Sequence, residues 1–268
     1  MNDDVLEQLR AGVRAPMVGH KVAADKGLKA EILLLRSHAS IVEDKPGSFV
    51  CEGKVMLIRR FDRYWAATEV ALGANEDLST TQPGAGRIEQ RLGFVSGLTM
   101  LACDETESRT KAYTDLAQAV RSYCHTSVIR ADNTELFKRM VYNVLVSNDD
   151  DHLRNHGFVW EPRLAGWRLS PLYDVLPRAS HATERFLHLG VGPQGRLATL
   201  DNALESHEMF TLSRASACEI VANLWQVVRE WRVYFESFGV TEAEIQKIAP
   251  AFRHLDDVST MALRRQLP

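Results

Sequence analysis

The chain has 268 residues, 45% of them apolar and 25% charged, which is enough to bury a core and ordinary for a folded domain. Its net charge of −3 gives no electrostatic reason to expect direct nucleic-acid or membrane binding, and no run of eighteen apolar residues offers a membrane span. The start MNDDVLEQLRAG carries no basic-then-apolar leader, and Cys51, Cys103, Cys124 and Cys218 form no C-x-x-C pair, so reduced thiols in the cytoplasm are expected rather than a zinc site or a disulfide framework.

In chain order, Val5–Val13 and Leu28–Leu35 read as helices, and Glu43–Ser48, with Asp44, Pro46 and Gly47, as a turn. Lys54–Arg60 (KVMLIRR) is a short apolar run with charged ends and reads as a strand. Gly73–Gly86 is rich in Gly, Asn, Ser, Thr and Pro and reads as a long loop. Arg87–Ala102 and Ala112–Tyr123 follow as helices. Asp132–Ser147 is the strongest helix, because Leu136, Phe137, Met140, Val141, Val144 and Leu145 share one face. Asp132 followed by Glu135 resembles a capping box at its start.

Gly157–Glu161 and Gly166–Ser170 read as two strands joined by a turn at Pro162–Ala165. Ser213–Phe238 reads as one long amphipathic helix, with Ile220, Val221, Leu224, Val228, Trp231 and Phe235 in its stripe and Gly239 as its stop. Trp225, Trp231 and Tyr234 have core spacing there and point to packing rather than a cofactor. Thr241 and Glu244 cap a further helix that Pro250 interrupts or ends. The fold class expected is α+β, mainly helical, with a small β element near the middle.

The stretch Val146–Asn155 (VSNDDDHLRN) joins the strong helix to the hairpin. As composition alone, Asn148–Asp151 could be a polar surface turn. The spacing adds a second reading. Phosphoryl-transfer loops place an Asp base five residues before an Asn that holds Mg²⁺, and Asp150 and Asn155 have that separation. A further metal-binding Asp must then return to the site, and Asp174 follows the hairpin Phe158–Leu169. Mg²⁺ asks for hard oxygen ligands, which Asn155 and Asp174 supply. Asp150 would accept the proton of an incoming hydroxyl, and His152 or Arg154 would offset developing charge. His152 and His156 are four residues apart, but Arg154, Asn155 and Gly157 make this a loop and argue against zinc. His181 and His188 show no partner pattern, and no G-x-S-x-G elbow supports hydrolase chemistry.

NDDDHLRNHGFVW followed by GWRLSPLYDVLP resembles the signature of HipA-like serine/threonine kinases, the toxins of HipBA-type toxin–antitoxin modules. Asn148, Asp150, His152, Arg154 and Asn155 fill its first part, and Pro171, Tyr173 and Asp174 its second. MLIRRFDR (Met56–Arg63) resembles the family's lobe-linking strand, and GFVSGLTML (Gly93–Leu101) the helix after its mobile loop. The segment Leu189–Leu200 and the motifs ATL, EAEI and APAF join the likeness, which spans about residues 54–255.

The resemblance implies a kinase-like C-terminal lobe over residues 54–268, preceded by a remnant or reduced N-terminal segment at 1–53. It implies ATP and Mg²⁺ as cofactors, with Arg59 and Phe61 beside the nucleotide and Asp62 close by. It also implies a protein substrate, with aminoacyl-tRNA synthetases among the family's targets, and a HipB-like DNA-binding antitoxin as partner. The sequence departs from the family before the R-F-D-R strand. No Gly-rich phosphate loop is legible there, and Lys21, Lys26 and Lys29 read as solvated helix-face residues. Two classes of function therefore follow: an active protein kinase, or a pseudokinase-like lobe that binds a protein partner without catalysis.

Overall fold

A computed structural model describes residues 15–16, 32–37, 53–58, 61–67 and 86–268. The expected helix Val5–Val13, the turn Glu43–Ser48, most of the loop Gly73–Gly86, and Lys21, Lys26, Lys29, Cys51 and Arg59 lie outside the described residues.

The upstream part is strand-forming. β1 (Ala15–Pro16), β2 (Ile32–Ser37) and β3 (Gly53–Ile58) form an antiparallel sheet, with Ile32 opposite Ile58 and Ser37 opposite Gly53. The helix expected at Leu28–Leu35 is thus corrected where it is described. The run ILLL is continuous rather than periodic, and β3 supplies a pairing edge along its whole length. The strand expected at Lys54–Arg60 is β3.

Arg87–Ala102 is also corrected. It forms β5 (Arg87–Arg91), β6 (Phe94–Ser96) and only one helical turn, α1 (Gly97–Met100). β5 pairs antiparallel with β4 (Arg63–Ala67), whose backbone groups need a partner. β6 pairs with β7 (Gly157–Glu161), which pairs with β8 (Gly166–Leu169), so the expected hairpin gains a third strand.

The core surrounds α3 (Ile129–Val146). Its expected apolar face is fully buried, from Leu136 and Phe137 to Val144 and Leu145. Burial extends all round the helix, however, to Asp132, Asn133, Arg139 and Asn143. α2 (Tyr113–Tyr123), β8, α4 (Leu200–Glu205) and α5 (Arg214–Val228) pack around it. Asp132 is not the cap that the sequence suggests. The helix starts three residues earlier, after Val128, and the buried Asp132 carboxylate accepts from the Leu169 amide at 2.7 Å, pinning β8 to α3.

The helix expected over Ser213–Phe238 is two: α5 and α6 (Trp231–Ser237), broken at Arg229–Glu230. The break turns Trp231 onto Phe252, where the rings stack 4.2 Å apart and 1° from parallel. Gly239, at φ 71°, supplies the expected left-handed stop. Thr241 and Glu244 form the expected capping box of α7 (Glu242–Ile248), and Pro250 lies in the 3₁₀ turn that follows it. Short helical turns at Leu255–Val258 and Met261–Arg264 close the chain. Among the described residues no helix is long and apolar enough to cross a membrane.

Candidate active site

Two backbone features deliver the loop after α3. Ser147 adopts a left-handed conformation (φ 56°) and ends the helix, and the Asn148 amide donates back to Asn143 O at 3.0 Å. A non-glycine residue in that region costs about 1 kcal/mol or more. Ser147 Oγ offsets part of this by donating to Ala251 O at 2.8 Å. On the other side of the loop, α1 approaches closely: the Gly97 amide donates to His156 O at 2.6 Å, and a Cβ on Gly97 would lie 2.8 Å from Leu153 O.

The loop is held from beneath by Asp151, which is 1% exposed. Its Oδ2 accepts from Asn143 Nδ2 at 2.7 Å, from His156 Nε2 at 2.9 Å and from the Tyr113 hydroxyl. Asn143 Nδ2 also reaches Tyr113 Oη at 3.0 Å, and the Tyr113 and His156 rings meet edge to face. Asp151 and His156 stand at the two ends of the segment 151–156, so this carboxylate closes the loop on itself and ties it to α2 and α3.

Burial pushes the Asp151 carboxyl up, but His156 and the hydrogen bonds from His156 and Tyr113 outweigh it and hold the group below its ordinary value. Burial, with the Asp151 charge, pushes the Tyr113 phenol well above its own. A depressed carboxyl contributes stability above its unfolded value of about 3.9, lost as pH falls through the folded value. The melting temperature of the native chain should therefore drop more steeply below about pH 4 than that of Asp151→Asn. Parallel pH–Tm curves for the two proteins would show that Asp151 is not held ionised.

Above this anchor the two spaced residues come together. Asn155 is buried and donates its Nδ2 to Asp150 O at 3.0 Å, which leaves its Oδ1 as the uncommitted amide oxygen. The Asp150 carboxylate is exposed. Arg178, which no sequence signal singles out, approaches Asp150 Oδ2 at 2.8 Å through Nη1 and Asp149 Oδ1 at 2.9 Å through Nε.

Of the two residues that the sequence suggests as cations, Arg154 has an acidic partner outside the loop, while His152 Nδ1 is buried without a hydrogen-bond partner. Arg154 pairs with Glu105 at 2.6 Å and is 57% exposed. The His152 ring packs edge to face with His188, which hydrogen-bonds Ser108 Oγ at 3.0 Å.

Asp174 is exposed and left-handed (φ 54°). Residues held in that region cluster at functional sites. Two side chains position its segment. The buried Arg139 donates to Ser170 O at 2.7 Å, and the Tyr173 hydroxyl donates to Arg154 O at 2.6 Å, joining the segment to the Asp150–Asn155 loop. Phe61 stacks on Tyr173 (5.5 Å, 28°) and touches Phe94 (5.8 Å), while the Leu92 amide donates to Asp62 O at 2.9 Å. The Phe61–Asp62 turn thus meets the segment that carries Asp174.

These donors fit a magnesium ion in kind. Asn155 Oδ1 and the Asp174 carboxylate are hard oxygens, and Mg²⁺ takes one or two protein ligands and completes its shell with phosphates and water. Among the described residues no group of three or more His, Cys, Asp or Glu could hold a metal.

Asp150, Asn155 and Asp174 are the residues that a spacing argument can find, and Tyr173 enters only with the family resemblance. Arg178, Tyr113 and Asn143 are not, because nothing in their local sequence sets them apart. Phe94 lay in a segment expected to be helical.

The family model described as the HipA-like C-terminal domain matches residues 18–231. A Haemophilus influenzae protein named "Putative kinase" is 40% identical over 52 residues, 19% of this chain and 15% of that protein. The solved structure of Shewanella oneidensis HipA, in a complex with HipB and its operator DNA, aligns with TM-score 0.57 and 15% identity, covering 93% of this chain and 54% of that one. The chain therefore spans about half the length of that HipA and less of the curated relative. The Helicobacter pylori proinflammatory kinase CtkA aligns with TM-score 0.43 and 13% identity, over 90% of this chain and 85% of that one.

Proposed function

The chain belongs to the HipA-like C-terminal domain family, and from that premise we propose that it is an ATP- and Mg²⁺-dependent serine/threonine protein kinase of a HipA-like toxin–antitoxin system. One observation carries the reading. An exposed carboxylate, Asp150, is linked through its own carbonyl to Asn155, whose amide oxygen remains uncommitted, and the Asp174 segment is hydrogen-bonded to the same loop. A polar surface turn has no need of a buried anchor of four groups beneath it.

In this reading Asp150 accepts the proton of a serine or threonine hydroxyl as its oxygen attacks the γ-phosphorus of ATP. The bond to the β,γ-bridging oxygen breaks and ADP leaves. Asn155 and Asp174 hold Mg²⁺, which when bound neutralises charge on the phosphates. Phe61, fixed by Tyr173, lies beside the nucleotide, with Asp62 close by. Residues 54–268 are the kinase lobe in this reading, with β3 near its start. The substrate is a protein in the cytoplasm, with aminoacyl-tRNA synthetases the first to try. The partner is a HipB-like DNA-binding antitoxin, as found with the Shewanella HipA, so contact with DNA is through the partner.

The test is ligand-induced stabilisation followed by transfer. At about 100 times its Kd, Mg²⁺-ATP stabilises a binding protein by about 2.7 kcal/mol, a rise of several degrees in Tm. We expect that rise and incorporation of labelled phosphate into a protein hydroxyl. A rise without transfer to any protein would leave the alternative, a pseudokinase-like binding module. No rise at millimolar Mg²⁺-ATP would sink the nucleotide-dependent reading.

A further inference from the structure

The reacting centre of a phosphoryl transfer needs a cation, because the transferring group and its acceptor base are both anionic. Two like charges about 4 Å apart repel by about 1 kcal/mol in water and about 4 kcal/mol at the effective dielectric of a protein surface. Here the base candidate Asp150 has a second carboxylate, Asp149, beside it in sequence, and both are exposed. Of the cations the sequence suggests, Arg154 is held by Glu105 and the His152 ring lies against His188. The group that meets Asp150 and Asp149 is the Arg178 guanidinium, through Nη1 and Nε respectively.

The placement of Arg178 has a backbone cause. Its amide donates to Val146 O, at the last residue of α3, at 3.2 Å. The same helix end launches the Asp149–Asp150 loop, so loop and arginine are hung from one point. The side chain beyond that anchor is 49% exposed and can move. Its planar fork carries separate N–H groups, and Nη2 is not used by either aspartate contact, so one guanidinium can hold a carboxylate and a phosphoryl oxygen together. A lysine, with a single charged head, cannot reproduce that geometry.

We propose that Arg178 is the phosphate-facing cation of this site: it bridges Asp149 and Asp150 in the absence of ligand and turns a guanidinium N–H toward the transferring phosphoryl group of a bound nucleoside triphosphate. This rests on the kinase reading above. It places the charge-neutralising group on the segment after Asp174 rather than within the Asp150–Asn155 loop. Arg178 then frees Asp150 from its ion pair only when an anion arrives to take the pair's place, which couples exposure of the base to nucleotide binding.

The experiment uses the full chain and its Arg178→Ala and Arg178→Lys variants, with three readouts. Calorimetry measures Mg²⁺-ADP binding with and without aluminium fluoride, a planar mimic of the transferring group. Labelled ATP measures transfer, and Tm measures the fold. Arg178→Ala should keep its Tm and its affinity for Mg²⁺-ADP, lose the extra affinity that aluminium fluoride confers, and transfer phosphate about 100-fold more slowly. Arg178→Lys should recover part of both losses. An Arg178→Ala protein that keeps the fluoride-dependent affinity and the rate of an active native chain overturns the role of Arg178 and leaves the kinase reading standing. A native chain that neither binds nucleotide nor transfers phosphate overturns both.

Discussion

Replacing Asp150 with alanine should lower the rate of phosphate transfer about 10²- to 10⁴-fold while leaving Tm nearly unchanged. The rate effect follows from its assigned role as the group that takes the hydroxyl proton. The small stability effect follows from its environment. The Asp150 side chain is 61% exposed, and its ion pair with Arg178 is a surface pair worth at most about 1 kcal/mol. The backbone carbonyl of residue 150, which receives the Asn155 amide, survives the substitution. Transfer from labelled ATP, read beside a melting curve and a Mg²⁺-ATP binding isotherm, separates these effects. Equal incorporation by the native chain and by Asp150→Ala would remove Asp150 from the reaction. A large fall in Tm would mean that the loop depends on this carboxylate for its shape.

Asp151→Ala should behave in the opposite way, with stability lost first and activity with it. The substitution strips the shared acceptor from Asn143 Nδ2, His156 Nε2 and the Tyr113 hydroxyl in a region closed to water. Breaking a buried charged network by deleting one member costs about 3–5 kcal/mol. For a domain of this size that corresponds to a fall of about 6–20 °C in Tm. The surviving Tyr113–Asn143 contact recovers little of this, since His156 keeps no acceptor for Nε2. Molecules that stay folded would hold residues 150 and 155 less accurately, and misplacement by about 1 Å costs about 100-fold in rate. Differential scanning calorimetry and transfer assays at a temperature well below the variant's Tm check both parts. A change under about 1 kcal/mol would show that the four groups are not the anchor described here.

The adjacent aspartates therefore have separate duties, and burial assigns them. Asp150 faces solvent, where Arg178 pairs with it. Asp151 faces Tyr113 and Asn143 and fixes where Asp150 points. Sequence spacing identifies Asp150, because D-x-x-x-x-N counts residues. It does not single out Asp151, whose Tyr113 and Asn143 partners come from helices 38 and 8 residues away. Arg178 escapes the sequence for the same reason: its pairing with Asp149 and Asp150 depends on Val146 O and the turn after Asp174.

The secondary structure divides along the same line. The core face of α3, the β7–β8 hairpin and the Thr241–Glu244 capping box are legible because their signals are local: apolar periodicity, turn residues between two short runs, and a cap three residues from its partner. Arg87–Ala102 reads as a helix in sequence. It became β5 and β6 because the distant strands β4 and β7 offered hydrogen-bonding edges. Asp132 looked like a cap and is a buried tie to Leu169, since the helix could extend to Ile129 once β8 supplied the carboxylate with a donor. The long C-terminal helix broke at Arg229–Glu230 where Trp231 found Phe252.

By itself the sequence determined the helix–loop–hairpin order, the choice of Asp150, Asn155 and Asp174 as candidate residues, and the family to which those motifs belong. The tertiary structure decided which aspartate is exposed, which cation faces it, and which segments pair as strands. The physical reason is range. Periodicity, caps and turns are energies of neighbouring residues, whereas burial, ion pairing and strand partnership are set by groups that only the folded chain brings within a few ångströms.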